Sequence, residues 1–458
     1  MEYLSAIILA AGEGKRMKSK MPKVLHKICG KALVEWVHDS AQEAGIQDCV
    51  VVVGHKADEV MTYMGQEVQF ALQREQLGTG HAVMQAQGML RGKQGHVIIL
   101  YGDTPLIKGE TIKMALDQHI QNDDSVTILT TELEDPTGYG RIVRDANGNV
   151  VRIVEHKDAN DQEKTIKEIN PGIYCFKIVH LLDALARLDN SNSQGEYYLT
   201  DTIEILIRAN HKVSSLKIKD ATELQGINDR QQLSQAESII QHRILSKHME
   251  NGVTILSPLN TYISADVDIG LDTILYPGCM LEGKTRIGED CCIGPNSRII
   301  NSVIENKVEV QSSVIIDSYV DENTHIGPFA YIRPESKIGK NVKIGDFVEV
   351  KKSVIGDNTK VSHLSYIGDA EIGENVNMGC GSVVVNYDGQ KKHKTIVRDN
   401  AFVGCNVNLI SPVTVNKNAF IAAGSTITED VPEGSMAIAR GRQVIKEAWM
   451  EKKGRQSK

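Results

Sequence analysis

Two stretches of this 458-residue chain combine residue types that can do chemistry. In "LAAGEGKRM", Gly12 and Gly14 open a loop that continues into Lys15, Arg16, Lys18, Lys20 and Lys23. Glycines let backbone N–H groups turn toward an anion, and five cations within nine residues suit the charge of a triphosphate. A solvated basic turn has the same composition, so the residues leave both readings open here. A Walker loop is excluded, because Leu9 and Arg16 stand where it needs Gly and Ser or Thr. A dinucleotide fingerprint fails too, since Met17 occupies the place of its third small residue. The second stretch is "KVSHLSYIGDAEIG", residues 360–373, where His363 and Tyr366 interrupt a run of Val, Ile and Gly. An imidazole with a pKa near ~6.5 is matched to taking up a proton at neutral pH.

The element that must position His363 is a repeat. Apolar residues recur every six positions at Ile263, Ile269, Leu275, Leu281, Ile287, Ile293 and Ile299, and again from Val314 through Val320 and Ile326 to Val350. After skips the rhythm runs through Ile355, Val361 and Ile367, then from Val403 to Ile427. A period of six fits neither helix nor alternating strand, and it does fit a hexapeptide β-helix with three short strands per coil. Small residues follow four places later, at Val267, Thr273, Cys279, Thr285, Cys291, Ser297 and Val303, which fills a narrow interior. Gly270, Gly288, Gly294, Gly327, Gly339, Gly345, Gly356 and Gly368 follow the apolar positions, where tight corners favour a positive φ. Residues 251–430 then make about ten coils, each rising ~4.8 Å. One polar insertion, "NYDGQKKHKT" at 386–395, reads as a projecting loop. Arg333 and Lys351 lie one coil apart, 18 residues, and stack ~5 Å from each other, which favours an anion between them.

The first half reads differently. Apolar runs "SAIILAA", "CVVVVG" and "HVIILYGD" alternate with helical stretches such as "KALVEWVHDSAQEAG" and "GETIKMALDQHI". That alternation predicts an α/β domain with a mostly parallel sheet, whose chemistry lies at the carboxyl ends of the strands, at the glycine loop and near Asp103. Residues 230–248, without Gly or Pro, suit a connecting helix that marks the boundary. A net charge of −8 argues against nucleic-acid binding, and no apolar run approaches the ~20 residues of a membrane span. The N-terminus lacks the charge order of a secretory signal, and the eight cysteines form no C-x-x-C pair. A reducing cytoplasm is the expected compartment.

"LAAGEGKRMKS", "PKVLHKI", "EQLGTGHAV", "YGDTPLI", "GYGRIV", "IVEHKDA" and "QGEYYLTD", in this order, resemble the sugar-nucleotide pyrophosphorylases. Joined to a hexapeptide β-helix, the chain resembles the bacterial bifunctional N-acetylglucosamine-1-phosphate uridylyltransferases and glucosamine-1-phosphate N-acetyltransferases. The resemblance implies a Rossmann-like mixed sheet in an α/β nucleotidyltransferase domain at 1–229, a helical linker at 230–250, and a left-handed parallel β-helix acetyltransferase domain at 251–458.

For the first domain it implies UTP and sugar-nucleotide contacts at Leu9, Ala10, Ala11, Gly12, Lys23, Gln73, Gly78, Thr79, Tyr101, Gly102, Asp103, Gly140, Glu155, Asn170 and Asn228. Arg16 and Lys23 would neutralise phosphates, and Asp103 with Asn228 would hold Mg²⁺, a hard cation that takes oxygen ligands. For the second domain it implies His363 as general base and Arg333, Lys351, Tyr366, Asn377 and Lys392 around the amino-sugar phosphate. Acetyl-CoA would lie against Cys380, Asn386, Tyr387, Cys405, Ala423 and Arg440, with shape rather than thiol chemistry at the two cysteines. His363 and Lys351 fall at different corners of the coil, so a homotrimer with pockets at subunit clefts is expected. Two alternatives remain: a single-activity pyrophosphorylase with a structural or regulatory β-helix, and a non-enzymatic interaction protein. The first has no use for the set of His363, Tyr366, Asn377 and the 386–395 loop, and the second would have no substrate for the "GEGKR" loop and Asp103 to hold.

Overall fold

The computed structural model describes residues 3–453, which divide into two compact units between Ile240 and Gln241. In the first unit the strands are β1 (Tyr3–Ala10), β2 (Asp48–Val53), β3 (Gln69–Leu72), β4 (Gly95–Tyr101) and β5 (Val126–Glu132). They continue as β6 (Gly140–Arg144), β7 (Val150–Val154), β8 (Glu168–Asn170), β9 (Tyr174–Lys177) and β10 (Val213–Lys217). The sheet order is β3-β2-β1-β4-β9-β5-β8-β6-β7, with β10 beside β5. The first four strands are mutually parallel, while β9 runs antiparallel between β4 and β5. The sheet is therefore mixed, and its parallel half carries the glycine loop. The apolar runs that predicted β1, β2 and β4 are buried almost throughout, because helices cover both faces. Among those helices are Leu33–Glu43, Thr79–Leu90 and Gly109–Gln121. A helix spans Arg230–Glu250, and the division between the units falls within it.

The second unit is a left-handed parallel β-helix. Its short strands form three sheets of eleven, ten and nine strands, each strand pairing in parallel with its counterpart one coil later. The first face includes Lys343–Asp346, Lys360–His363, Asn377–Met378 and Phe402–Val403. The second includes Tyr331–Ile332, Glu349–Lys351, Tyr366–Gly368 and Val383–Val385. The third includes Val354–Ile355, Ala370–Ile372 and Thr395–Val397. One continuous apolar core runs from Leu245 to Val431. The ten strands of the second face match the coil count expected from the period.

Two details of the repeat differ from the sequence reading. After Ile299 the inward residues are Ser302, Ile304, Val310 and Ile315, whereas Val303 and Val314 are only half-buried. The corners there are one residue shorter, and in a period-two strand a shift of one exchanges inside for outside. The glycines after the apolar positions also have another purpose. Of the eight, only Gly327 has a positive φ; the left-handed corner residues are mostly Asn and Asp, such as Asn341, Asn358 and Asn375. The glycines instead make room for the next coil: a Cβ on Gly345 would stand 1.8 Å from the Ser362 carbonyl oxygen, and one on Gly270 would stand 2.6 Å from the Gly288 backbone. The insertion at 386–395 joins the second face to the third, with Tyr387 bridged to Lys392.

Candidate active sites

In the first unit, a cavity of about 280 Å³ opens at the carboxyl ends of the parallel strands. Leu9, Ala10, Ala11, Gly12, Lys23, Gln73, Gly78, Thr79, Tyr101 and Asp103 all line it. The topology explains this convergence: β1 delivers Leu9 and Ala10, β4 ends at Tyr101, and Gln73 follows β3. Gly14 takes a left-handed conformation, and a Cβ there would stand 2.5 Å from Lys23 Cβ. A Cβ on Gly12 would meet nothing within 4 Å. The protein itself thus has no use for the missing side chain at Gly12, whereas a ligand approaching the backbone does.

The basic residues separate into two kinds. Lys15 is exposed and pairs with Glu13 at 3.1 Å, as the solvated-turn reading requires. Arg16 and Lys23 have partners in the site: exposed Arg16 donates from Nη2 to Asn228 Oδ1 at 2.8 Å, and the enclosed Lys23 donates from Nζ to Asp103 Oδ2 and, at 3.2 Å, to Asn228 Oδ1. Ile227 N–H donates to the Asp103 carbonyl at 2.8 Å, which brings the two distant segments together. Asp103 and Asn228 therefore present oxygens to one point, where the Lys23 ammonium now acts as the cation. Two oxygens are a poor complete cage but fit Mg²⁺, which keeps waters and shares substrate phosphates. Among the described residues no group of three or more His, Cys, Asp or Glu could hold a metal.

Gly140, Glu155 and Asn170 lie together beyond Tyr101. Asn170 pairs with Gly140 across β8 and β6, and a Cβ on Gly140 would stand 3.5 Å from Glu155 Oε1. Asn170 Nδ2 donates to the Tyr174 hydroxyl at 2.7 Å and its Oδ1 accepts from Gly172 N–H at 3.1 Å, so this amide is fixed from both ends. Burial raises the Glu155 carboxyl, and the Asp201 and Asp158 charges add to the rise. Burial also pushes the Tyr101 phenol up, with the Glu155 and Asp103 charges adding to it. The sequence reading missed Gln76 and Glu196, which line the cavity, and Tyr139, which lies by Gly226 and feels Asp103 and Arg16. Tyr139 sits inside the quoted motif "GYGRIV", so a signal existed for it.

In the second unit, Arg333 and Lys351 stack on the second face as their spacing predicted, with Arg333 N–H donating to the Val350 carbonyl. Each already has a carboxylate partner: Arg333 Nη1 to Glu349 Oε1 at 2.7 Å, and Lys351 Nζ to Asp369 Oδ2 at 3.1 Å. Lys392 from the insertion comes against Lys351, close enough for the Lys351 ammonium to donate to the neutral Lys392 amine. Lys392 is held below the usual lysine range by Lys351 first, with Arg333 adding to the effect, while Lys351 is raised by its contact with Lys392 first and by Asp369. Asn386 Nδ2 donates to Asp369 Oδ2 at 2.5 Å and lies 3.4 Å from the Tyr366 hydroxyl. Arg333, Lys351, Tyr366, Asn386 and Lys392 thus form one cluster. Gly368 leaves room for the Tyr366 ring, since a Cβ there would stand 2.4 Å from the phenol oxygen.

His363 belongs to a different group. It ends a first-face strand, and its corner repeats coil by coil: Gly381 N–H donates to the His363 carbonyl, Asn406 N–H to that of Cys380, and Gly424 N–H to that of Cys405. The Arg440 guanidinium then donates to the Ala423 carbonyl at 3.0 Å. His363, Cys380, Cys405 and Ala423 therefore form a column along one corner. Asn377 lies on the first face beside Lys360 and Phe402, and Tyr387 is exposed in the insertion. Asn377 is thus away from the cation cluster, while Tyr387 adjoins it only through its backbone bridge to Lys392. Cys380 is half-buried and Cys405 exposed, whereas Cys29, Cys49, Cys175, Cys279 and Cys291 are buried. Glu349, Asp369 and Asp346 were missed because each lies about one coil from its partner, and only the 18-residue period could have linked them.

Residues 5–227 match the model of the nucleotidyl transferase family, and residues 314–438 match that of the GMPPB C-terminal domain. The chain is 63% identical to Bifunctional protein GlmU of Acetivibrio thermocellus over 454 residues, which covers 99% of this chain and 98% of that protein. The chain belongs to the GlmU family. Other members are similar over the same extent: the proteins of Caldanaerobacter subterraneus subsp. tengcongensis at 58% identity (99% and 100% of the two chains) and Clostridium botulinum at 57% (99% and 99%). The similarity to the GlmU proteins is continuous across both units, so it covers the cavity of the first and the cation cluster of the second. Among the described residues no helix is long and apolar enough to cross a membrane.

Proposed function

We propose that this GlmU-family chain carries out two consecutive transfers in UDP-N-acetylglucosamine synthesis. The second unit moves the acetyl group of acetyl-CoA to the amine of glucosamine 1-phosphate. The first unit then joins N-acetylglucosamine 1-phosphate to the uridylyl group of UTP and releases pyrophosphate. The observation that carries this reading is the pairing, in one chain, of a lined cleft at the glycine loop with a separate histidine and cation cluster on the β-helix.

In the first site, attack by the sugar phosphate oxygen on the α-phosphorus of UTP needs positioning and charge neutralisation more than a base. Gly12 leaves space for the nucleotide, Gln73, Gly78 and Thr79 border the base, and Arg16 and Lys23 reach the phosphates. Gly140, Glu155 and Asn170 hold the sugar hydroxyls. Asp103 and Asn228 would hold Mg²⁺, which would add charge neutralisation at the phosphates. In the second site, Arg333, Lys351 and Lys392 grip the phosphate of glucosamine 1-phosphate. His363 removes a proton as the amine nitrogen bonds to the thioester carbonyl carbon; the C–S bond then breaks and coenzyme A leaves as a thiol.

Because the His363 corner column and the cation cluster occupy different faces, we assign the complete pocket to a cleft between copies in a homotrimer. Asn377, Cys380, Cys405, Ala423 and Arg440 of one copy would then meet the cluster of another. The compartment that supplies these substrates is the cytoplasm. The alternative is a single uridylyl transfer with a structural or regulatory β-helix. Supplying glucosamine 1-phosphate and acetyl-CoA without UTP separates the two: free coenzyme A thiol supports the bifunctional reading. Its absence, together with pyrophosphate release from N-acetylglucosamine 1-phosphate and UTP, establishes the single activity.

A further inference from the structure

The strand Lys343–Asp346 pairs with Lys360–His363 one coil later, and the register sets Asp346 directly beside His363. Asp346 Oδ1 lies 2.5 Å from His363 Nδ1. The backbone fixes this pairing as well: Leu364 N–H donates to the Asp346 carbonyl at 2.9 Å, and Gly345 permits the close approach because any Cβ there would collide with Ser362. Among the described residues the other ring nitrogen, Nε2, has no hydrogen-bond partner. We infer that Asp346 is a positioning residue for His363, accepting a hydrogen bond from Nδ1–H and so holding the ring in the tautomer whose Nε2 takes the proton from the attacking amine. The inference rests on the acetyl-transfer reading above.

The chemistry follows from the two nitrogens of imidazole. In the neutral ring one is a donor and the other an acceptor, and the partner of the first decides which is which. A carboxylate can only accept, so it selects Nδ1–H and leaves the Nε2 lone pair free. When Nε2 takes up the proton, the ring becomes a cation, and the adjacent carboxylate stabilises it. The same division of labour, an acid group that orients and a ring that transfers, operates in Ser-His-Asp triads. Both side chains are partly exposed, 55% for His363 and 38% for Asp346, so solvent weakens the pair and its effect stays below that of a buried triad.

The test combines kinetics with a spectroscopic signature in the full-length protein. Asp346→Ala should lower kcat for acetyl transfer about tenfold, equivalent to ~1.4 kcal/mol. KM for glucosamine 1-phosphate and the uridylyl transfer rate should hold within about twofold. With ¹⁵N-histidine labelling, and the His363 signal assigned by its loss in His363→Ala, the unsubstituted protein at alkaline pH should show the Nδ1–H tautomer. Asp346→Ala should move it toward Nε2–H. A wild-type kcat in Asp346→Ala, or an Nε2–H ring in the unsubstituted protein, overturns the assignment; the second outcome does not depend on the variant folding. Acetyl transfer undiminished in His363→Ala would instead overturn the acetyl-transfer reading itself, so the two failures are distinguishable.

Discussion

Replacing Lys351 by Met removes the most enclosed of the three cations at the proposed phosphate site. Its side chain is 16% exposed and its Asp369 partner 15%, so the pair is screened less than a surface pair. A hydrogen bond to a charged group contributes ~1.5–3 kcal/mol, which corresponds to about 10- to 150-fold in affinity. Removal of Lys351 also takes away the Asp369 carboxylate's ammonium hydrogen bond, leaving it Asn386 as hydrogen-bond donor and the nearby Lys392 charge as it faces the incoming phosphate. That repulsion adds ~1–4 kcal/mol at 4 Å between the water and near-surface dielectric limits. Together these predict a rise in KM for glucosamine 1-phosphate of at least ~30-fold, with KM for acetyl-CoA changed less than about threefold. Adding Asp369→Asn to Lys351→Met should recover part of the loss, because the unpaired carboxylate is then gone. The assay follows free coenzyme A thiol while each substrate is varied, at low and at high salt. A change confined to acetyl-CoA, or a double variant no better than the single one, would refute the phosphate role of this cluster.

Other expectations concern separate parts of the molecule. Lys392 is held below the ordinary lysine range by Lys351, so it loses its proton first as pH rises. KM for the sugar phosphate should therefore climb at a pH lower than that of an ordinary lysine, and Lys392→Met should remove this climb. Gly345→Ala places a Cβ 1.8 Å from a carbonyl oxygen, and overpacking of that kind costs ~1–3 kcal/mol or more. The thermal transition of the β-helix unit should fall by ~3–10 °C, and acetyl transfer should fall with it while uridylyl transfer persists. Chelation of divalent cations should stop pyrophosphate release and leave thiol release intact, since only Asp103 and Asn228 are assigned to a metal.

What was legible in the sequence follows the physics of each element. The inward set of the β-helix was readable because a coil repeats the same burial every six residues, and it was misread at Val303 and Val314, where shortened corners shift the phase. The corner glycines were located but given the wrong reason: Asn and Asp occupy the left-handed positions, while Gly270 and Gly345 are set by the closeness of the next coil. In the first unit, the apolar runs located the strands, and the rule of ligands at strand carboxyl ends located Asp103. The antiparallel β9 in mid-sheet was not readable, because a buried strand has the same apolar run in either direction. Arg333 and Lys351 could be paired from their spacing, yet their partners Glu349 and Asp369 looked like ordinary surface acids. The placement of Asn386 beside Asp369 and Tyr366, rather than on the His363 column, depends on the path of the insertion. No local pattern in "NYDGQKKHKT" encodes that path.

The central claim is that two independent sites share this chain, and a crossed assay of His363→Ala and Asp103→Ala tests it most directly. Each variant is supplied with glucosamine 1-phosphate and acetyl-CoA in one reaction, and with N-acetylglucosamine 1-phosphate and UTP in another. The account predicts that His363→Ala loses thiol release and keeps pyrophosphate release, and that Asp103→Ala does the reverse. Loss of both activities from a folded His363→Ala protein would contradict it.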